Sequence, residues 1–374
     1  MISKACVTAS YRGKLREMVR QQDDLELTLV VPPRWGTLPY EPAPAEPFAT
    51  RLMPARLTGR NHFHWYPGIA AVLEEEKPDL IHIDEEHYSL VTGLILREAS
   101  IRQVPALFFT WQNIYKDYPW PFSQLERYVF HHAAGALAGN QDALDVLRRK
   151  GYKGPAAVIP QFGTDPDVFR PRDDVRMRET WGLRDGQVVI GYVGRLVPEK
   201  GLDTLFEAML PILRARPEVV LVLAGSGPLQ DSLQRQAEIT GVAARVRMVP
   251  WVSSHEMPAL MSALDILVLP SKTTPRWKEQ FGRVLPEAMA SEVAVVGSSS
   301  GEIPLVIGEA GLVFEEGNAR ALRDALESLI AHPDRRRRLA RDGRARVRQR
   351  FSQRVIAEQT LAFYRTILPK AHAV

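Results

Sequence analysis

Cysteine is almost absent from this 374-residue sequence, in which Cys6 is the single example. One thiol cannot form a disulfide within the chain or supply a cysteine-ligated zinc site, and such usage favours a reducing compartment. Long apolar runs are also missing, since no uninterrupted stretch approaches the roughly 18 residues that span a membrane. The first residues, MISKACVTASYRGK, lack the long apolar core of a signal peptide. We therefore expect a cytoplasmic protein, with any membrane contact peripheral and at the inner face.

Charge of one sign is in small excess, with a formal net charge of +4 and an isoelectric point of about 9.1. Most of the excess lies in the run RRRRLARDGRARVRQR, from Arg335 to Arg350. Two interpretations of this run stay open. It is either a solvated helical face, or a surface that contacts an anionic membrane or an acidic acceptor. No aromatic residues are interleaved with the arginines, which argues against a nucleic-acid partner.

The length and the pattern of apolar runs predict two domains, each large enough to bury its own core. In the first half, short apolar runs alternate with amphipathic stretches. The predicted strands are residues 5–9, 27–31, 80–83, 106–110, 135–138 and 157–159, and the predicted helices are residues 68–77, 88–100, 122–132 and 141–150. Such alternation is typical of a parallel sheet with helices on both faces.

The second half repeats this pattern after a segment dense in Pro, Gly and Asp at residues 160–174. Its predicted strands are residues 188–193, 219–223, 245–249, 266–269, 294–297 and 311–314, and its predicted helices are residues 201–214, 228–240 and 256–263. The fold class is therefore α/β, with two Rossmann-like, doubly wound parallel-sheet domains. Ligands of such sheets bind beyond the carboxyl ends of the strands, so we expect the two domains to face a central cleft.

The stretch WKEQFGRVLPE, residues 277–287, connects a buried strand to a helix made of small residues. Pro286 suits the first turn of that helix, which places Gly282 near its N-terminus, where unpaired amides favour an anion. Glu287 lies in the first turn and Glu279 lies eight residues earlier, in the loop. One carboxylate on each side of an anion-binding turn suits a sugar nucleotide, which has hydroxyls at both ends and phosphates between them.

The loop GYVGRLVPEKG, which contains Gly194, Arg195 and Lys200, follows the strand predicted at 188–193. Both cations can bind a diphosphate, Arg195 as a planar fork and Lys200 as a compact point charge. They are alternatively surface cations near a helix start, a position that disfavours cations unless an anion is present.

Two further turns are candidates for contact with a nucleotide. AGSGP, with Gly225 and Gly227, resembles a dinucleotide fingerprint that lacks its third glycine, so we interpret it as a tight turn that admits backbone close to the ligand. Trp251 and Val252 end the next strand, where an aromatic ring beside main-chain amides can hold a base. Burial of Trp251 in the core is the alternative.

In the first half, candidate ligand-binding residues again follow predicted strands. Gly13 either admits a ligand or simply shapes the turn before a helix. Glu85 and Glu86 either bind acceptor hydroxyls or complement a helix dipole. Residues 32–67, rich in proline, are expected to form a flap on the acceptor side, and their His62 and His64 lack a third metal ligand nearby. After the fourth strand, aromatic faces and amides are suited to a sugar, with Trp111, Gln112 and Asn113 as the candidates.

The motifs GRLVPEKG, AGSGP, EQFGRVLPEAMA and SSSGEIPLVIGEAGLVFEEGN together resemble the family 4 retaining glycosyltransferases. VIPQFGTDPDVF adds a weaker match in the first half. The resemblance implies the GT-B architecture. It places an acceptor-binding domain at residues 1–165, a nucleotide-sugar-binding domain at 166–350 and a helix that returns to the first domain at 351–374.

The resemblance also implies roles for residues of the second half. Arg195 and Lys200 would bind the donor diphosphate and stabilise the leaving nucleotide, which removes the need for a metal ion or another cofactor. Glu279 would bind the donor sugar and Glu287 the ribose. Main-chain amides would line the phosphates and the sugar at four positions, Phe281, Gly282, Arg283 and Val284. The implied activity is retaining transfer of a hexose from UDP- or GDP-hexose to a glycan, lipid-linked or small-molecule hydroxyl.

Two positions depart from the family pattern. Many members have a histidine where this chain has Trp111, Gln112 and Asn113, and a glutamine cannot transfer a proton at neutral pH. Leu305 stands where many members have a glutamate, with Glu302 nearby. The alternatives are therefore another enzyme of nucleotide sugars, such as an epimerase, or an inactive binding subunit.

Overall fold

A computed structural model describes residues 1–43, 45–172 and 175–368 of the chain. The chain divides into two compact units. Unit 1 comprises Met1–Gly163 and the segment that begins at Gln353, and unit 2 is Thr164–Ser352. The observed boundaries between the units thus follow residues 163 and 352. The boundaries predicted from the sequence follow residues 165 and 350.

Unit 1 is built on parallel strands that alternate with helices. Its strands are β1 (Thr28–Val31), β2 (Arg34–Trp35), β3 (Leu38–Pro39), β4 (Ala49–Leu52), β5 (Ile81–Ile83), β6 (Ala106–Thr110), β7 (Gly135–Ala138) and β8 (Ala156–Val158). The helices of its first segment are α1 (Gly13–Gln21), α2 (Ile69–Glu76), α3 (Leu90–Ile101), α4 (Phe122–His132) and α5 (Gln141–Arg149). β2 and β3 form a short antiparallel hairpin apart from the main sheet.

The sheet of unit 1 runs in the order β4, β1, Ile2, β5, β6, β7, β8, with every pairing parallel. Ile2 joins its two halves through single bridges to Val30 and Ile83. The strand predicted at residues 5–9 is wrong, because short 3-10 turns occupy Ala5–Val7 and Ala9–Arg12. Cys6 and Val7 are buried within those turns, so their apolar character reflects packing and not an extended chain.

Unit 2 contains one six-stranded sheet. Its strands are β9 (Val188–Val193), β10 (Val219–Ala224), β11 (Val246–Val249), β12 (Ile266–Leu269), β13 (Ala294–Ser298) and β14 (Leu312–Phe314). Its helices are α6 (Val175–Thr180), α7 (Leu202–Ala215), α8 (Gln230–Ile239), α9 (Met257–Ser262), α10 (Val284–Ala290), α11 (Ile303–Ile307), α12 (Ala319–Ala331) and α13 (Pro333–Arg346), followed by a π-helical turn, Val347–Phe351. The last helix, α14 (Gln353–Ile367), belongs to unit 1 and packs on α1.

The central strands of unit 2 are buried along their whole length, as expected for a parallel sheet covered on both faces. The strand order is β11, β10, β9, β12, β13, β14, again all parallel. The chain starts at the centre with β9, adds two strands on one side, and then returns to β9's other side with β12. The switch point of this doubly wound sheet therefore lies between the carboxyl ends of β9 and β12.

Candidate active site

Two charged side chains meet at the switch point of unit 2. Lys200 follows β9, Glu279 follows β12, and the lysine Nζ lies 2.6 Å from the glutamate Oε2. Ser271 Oγ donates to the same carboxylate oxygen at 2.8 Å, and Nζ also lies 4.8 Å from the centre of the Trp277 ring. Both members of the ion pair are nearly buried. The structure thus brings together the residue expected to bind the donor diphosphate, Lys200, and the residue expected to bind the donor sugar, Glu279.

A glycine fixes the course of the loop that carries Lys200. Gly201 has φ = 68°, in the left-handed region, and a Cβ there would overlap the main-chain oxygen of Pro270. Lys272 N donates to Glu199 O at 2.9 Å, which joins the same two loops a second time. The loops after β9 and β12 therefore pack backbone to backbone, and this packing positions Lys200 opposite Glu279.

Two residues of this site were not among the predicted ones. Ser271 is fully buried and donates to Glu279, and its own carbonyl accepts from Ser298 Oγ at 2.5 Å. Gly301 has φ = 53°, and a Cβ there would overlap the carbonyl oxygen of Glu279. A glycine in the run SSSGE was a signal for such an approach, whereas nothing in the sequence pairs Ser271 with Glu279.

Glu287 and Arg283 form a second ion pair within the predicted donor-binding stretch. α10 begins at Val284, so Glu287 lies in its first turn, as the sequence predicted. Arg283 Nε donates to Glu287 Oε1 at 2.7 Å. Burial raises the pKa of Glu287 above its usual value, and the neighbouring guanidinium of Arg283 offsets part of this effect. Phe281 and Gly282 precede this turn, with Gly282 at φ = 71°.

The predicted donor-binding glycines connect the loops after β9 and β10. Gly194, Gly225 and Gly227 all have positive φ, and a Cβ at Gly225 would overlap Gly194 O. Gly194 N donates to Ala224 O at 2.9 Å, and Leu196 N donates to Ser226 O at 2.8 Å. The close approach that these glycines permit is therefore, in the first instance, between two loops. Their contact with a nucleotide stays a prediction.

Arg195 and Trp251 lie at the exposed side of the same strand ends. The Arg195 side chain is 61% exposed and reaches Glu199 at 3.6 Å, and no described contact joins it to the Lys200–Glu279 pair. Trp251 is 62% exposed, so the interpretation of this residue as core is wrong. Val252 beside it is partly buried against the core of unit 2. A ring that is open to solvent suits stacking on a base better than a structural role.

In unit 1 the two predicted carboxylates have different surroundings. Glu85 is buried and forms an ion pair with Lys4, and His64 Nε2 lies 3.6 Å away. Burial raises the pKa of Glu85, but the attraction of Lys4 and His64 outweighs it and the net shift is downward. Glu86 accepts from Thr110 Oγ1 at 2.5 Å and from Trp111 N at 2.9 Å, and burial raises its pKa. Glu86 thus holds the start of the loop that follows β6.

That loop carries the three remaining acceptor-side candidates. Trp111 Nε1 donates to Gln161 Oε1 at 2.8 Å, and its ring lies over Gly139, where a Cβ would overlap it. Gln112 is buried; its Nε2 donates to Tyr118 OH at 3.0 Å, while its Oε1 has no hydrogen-bond partner. Asn113 is buried beside it. A buried amide oxygen without a donor is unusual, and a ligand hydroxyl would satisfy it.

Gly13 is the first residue of α1, with φ = −55°, so its backbone conformation does not require glycine. A Cβ there would lie 2.8 Å from Gln353 Nε2, so the close neighbour of Gly13 is a side chain of α14.

The two histidines of the predicted flap have polar neighbours other than a metal site. His62 Nδ1 lies 3.3 Å from Ser89 Oγ, and His64 Nδ1 lies 3.1 Å from Asn61 O. Across residues 1–43, 45–172 and 175–368, no three His, Cys, Asp or Glu side chains are grouped as a metal site would require. None of the helices described there is both long and apolar enough to cross a bilayer.

Comparison with known proteins gives matches over both units. The family model described as "Glycosyl transferases group 1" matches residues 173–346, and the model described as "Glycosyltransferase Family 4" matches residues 15–167. The structure is also similar to that of sucrose-phosphate synthase from Thermosynechococcus elongatus, with a TM-score of 0.72 and 23% identity over 95% of this chain and 92% of that one. This likeness shows a shared GT-B fold.

Two curated relatives are similar in sequence. A D-inositol 3-phosphate glycosyltransferase of Segniliparus rotundus is 33% identical over 56% of this chain and 47% of its own length. A GDP-mannose-dependent alpha-(1-6)-phosphatidylinositol monomannoside mannosyltransferase of Mycolicibacterium smegmatis is 36% identical over 49% of this chain and 50% of its own length. The matched region thus spans about half the length of these two relatives.

Proposed function

Because the chain belongs to glycosyltransferase family 4, we propose that it is a glycosyltransferase that moves a hexose from a nucleoside diphosphate sugar to an acceptor hydroxyl. The observation that carries this proposal is the Lys200–Glu279 pair at the switch point of unit 2. It sets a cation and a carboxylate side by side at the edge where doubly wound sheets bind nucleotides.

The pair suits the two halves of the donor. An ammonium group has three donor protons, and one of those of Lys200 is directed to Glu279, so others can bind a phosphate oxygen. A cation there stabilises the negative charge that develops on the departing diphosphate. Glu279 accepts hydrogen bonds from sugar hydroxyls, and Glu287 from ribose hydroxyls. Arg195, exposed on the same loop as Lys200, is the second candidate for the diphosphate.

The finer proposals concern stereochemistry, donor and acceptor. We propose that transfer retains the anomeric configuration and needs no metal ion, since Lys200 and Arg195 provide positive charge at the leaving group. GDP-hexose and UDP-hexose are the candidate donors, and the GDP-mannose-dependent relative favours the former. The names of both relatives favour an inositol-phosphate or lipid-linked acceptor over a neutral glycan.

A donor screen followed by a turnover assay tests the proposal. A nucleotide sugar that binds the native protein raises the unfolding midpoint. At a ligand concentration of roughly 100 Kd, the free energy of unfolding increases by about 2.7 kcal/mol. The donor found in this way should then yield a glycosylated acceptor in the presence of EDTA. NMR of the product should show the same α-anomeric configuration as in the donor. If the wild-type protein unfolds cooperatively but none of the nucleotide sugars raises its unfolding midpoint, donor binding is contradicted.

One observation keeps a second function open. Trp111, Gln112 and Asn113 stand where many family members have a histidine, and none of these three side chains acts as an acid or base at neutral pH. A protein that binds a nucleotide sugar but transfers no sugar to inositol-phosphate, lipid-linked or glycan acceptors would be an inactive binding subunit. Release of an altered sugar without an acceptor product would instead indicate an epimerase.

A further inference from the structure

Three neighbouring segments of unit 1 present large apolar side chains to solvent. The segments are the β2–β3 hairpin at residues 34–39, the loop at 56–65 and the loop at 115–122. Their exposed apolar side chains are Leu38, Leu57, Phe63 and Trp120, of which Trp120 is 78% exposed. We call these four side chains, with the cations described below, the three-segment surface.

Specific contacts hold the three segments together. Gly36 N in the hairpin donates to Thr58 Oγ1 in the second segment at 3.1 Å. The second segment is closed at its base by Arg56 N, which donates to Trp65 O at 2.9 Å. Phe63 packs edge-on against Phe122 of the third segment, with ring centres 5.6 Å apart. The apolar side chains therefore belong to one connected surface.

The same segments carry an excess of cations without carboxylate partners. Arg34, Arg56, Arg60 and Lys116 are all exposed, and none of them forms an ion pair within the part of the chain that the structure describes. The only carboxylate in the three segments is Asp117, which accepts from Tyr115 OH at 2.8 Å. The three segments therefore combine exposed apolar side chains with exposed, unpaired cations that lie within four residues of them along the chain.

The basic run at residues 335–350 differs in both respects. Arg344 and Arg346 are used inside unit 2, where they donate to main-chain oxygens such as Pro166 O at 2.9 Å and Val306 O at 2.8 Å. None of the large exposed apolar side chains found in the described residues lies in this run. It offers charge alone, and charge alone does not enter a bilayer.

We propose that the three-segment surface docks unit 1 on a bilayer that contains anionic lipid. Tryptophan and phenylalanine rings favour the boundary between headgroups and acyl chains, and leucine side chains gain by leaving water there. Unpaired arginine and lysine side chains around them are attracted to anionic headgroups. A soluble polyanion would engage the cations but leave the exposed apolar side chains in water. Exposed apolar side chains interspersed along the chain with unpaired cations therefore fit a lipid surface better. This proposal rests on the surface itself and does not depend on the proposed glycosyl transfer.

Vesicle sedimentation tests the docking. The full chain should bind vesicles of equal parts phosphatidylcholine and phosphatidylglycerol, bind pure phosphatidylcholine much more weakly, and dissociate in high salt. Replacing three cations together (Arg56→Gln, Arg60→Gln, Lys116→Gln) should lower the partition coefficient by roughly 100-fold, since each contributes about fivefold near an anionic surface. Trp120→Ser should also weaken binding and should remove much of the quenching of tryptophan fluorescence by brominated lipid.

Matched variants separate this surface from general stickiness. Ile239→Ser removes an exposed apolar side chain of unit 2, and a triple variant of α13 (Arg337→Gln, Arg338→Gln, Arg341→Gln) removes equal charge; both should bind vesicles as the parent does. Unchanged unfolding midpoints would show that the variants fold. The proposal fails if the parent does not bind anionic vesicles, or if only the α13 variant loses binding. It also fails if Trp120→Ser abolishes a dimer in sedimentation velocity and leaves vesicle binding unchanged.

Discussion

Lys200 and Glu279 form a nearly buried ion pair, so a change in either side chain affects the other. Removal of one partner leaves an uncompensated charge, which costs about 3–5 kcal/mol where a pair is fully buried. We expect Lys200→Met to lower the free energy of unfolding by up to about 3 kcal/mol, because some solvent reaches the pair. Glu279→Gln should cost less, since an amide oxygen can still accept from Ser271. Urea denaturation measures both.

A double-mutant cycle shows whether the pair is coupled. The Lys200→Met/Glu279→Gln protein should be more stable than the sum of the single losses predicts, by about 1–3 kcal/mol. If the proposed roles are right, each single variant also lowers kcat by at least about 100-fold. Stability losses that simply add would mean that the ion pair does not form in solution.

Glu287 should impose a pH-dependent cost on stability. Burial raises its pKa in the folded state, so the protonated form stabilises the fold at low pH and that contribution is lost as pH rises through the folded pKa. Glu287→Gln removes the ionisation, so the variant should gain stability relative to the parent as pH rises above the usual glutamate pKa of 4.5. It should also bind the nucleotide roughly 10–100-fold more weakly, through the loss of charge-assisted hydrogen bonds to ribose. Thermal unfolding across pH and calorimetric titration measure these effects.

Glu256 provides a control of opposite sign. Its carboxylate accepts hydrogen bonds from Ser253, which lower its pKa, so its contribution to stability is present at neutral pH and lost on acidification. Glu256→Gln should therefore be less stable than the parent at pH 7, with a difference that disappears in acid. A Glu287→Gln protein that behaves in the same way would contradict the raised pKa of Glu287.

Among the loops, Gly201 is the position where backbone packing decides the site. Gly201 and Gly241 have similar positive φ values, 68° and 73°, but only Gly201 has a main-chain oxygen in the place of a Cβ, whereas Gly241 faces open space. Gly241→Ala should therefore cost only the backbone strain, about 1 kcal/mol. Gly201→Ala should cost at least about 2 kcal/mol more, because the loops after β9 and β12 must separate.

Gly201→Ala should also lower the affinity for the donor. Separation of those loops moves Lys200 away from Glu279, so Gly201→Ala should weaken donor binding while Gly241→Ala leaves it unchanged. Chemical denaturation gives the two stability losses, and titration with the donor gives the two affinities. Equal losses in the two variants would show that strain at positive φ, and not the close approach to Pro270, sets the requirement for glycine at position 201.

Elements with strong local signals could be predicted from the sequence, and those defined by long-range contacts could not. β9 and β12 were predicted at their observed bounds because apolar runs bounded by turn residues are sufficient for a buried parallel strand. β4 was missed inside the predicted flap, since its side chains are mostly exposed and show no apolar pattern. Lys200 and Glu279 were found through their motifs. The hydrogen bond from Ser271 depends on tertiary packing that no spacing reveals.

The two units differ in whether their cores include residues of the last helix, α14. Among the described residues, the buried core of unit 2 lies between Trp181 and Val347, and the partly buried side chains that pack against it, from Phe169 to Phe351, also belong to unit 2. In unit 1, by contrast, Ala357 and Leu361 of α14 pack with Leu15 and Met18 of α1. The other side of α14 supplies further core residues against β6 and β7, with Ile356 and Phe363 among them. Unit 2 is therefore self-sufficient in core residues, and unit 1 is not.

A chain that ends at Ser352 should consequently lose the structure of unit 1 and keep that of unit 2. Without α14, a core face of α1 and of the sheet is exposed, at a cost of several kcal/mol for the large side chains that lose their cover. Limited proteolysis should digest the region before Gly163 and leave a resistant fragment near Thr164–Ser352. That fragment, expressed alone, should unfold cooperatively and be stabilised by the donor nucleotide. A truncated chain in which both units resist the protease would contradict the dependence of unit 1 on α14.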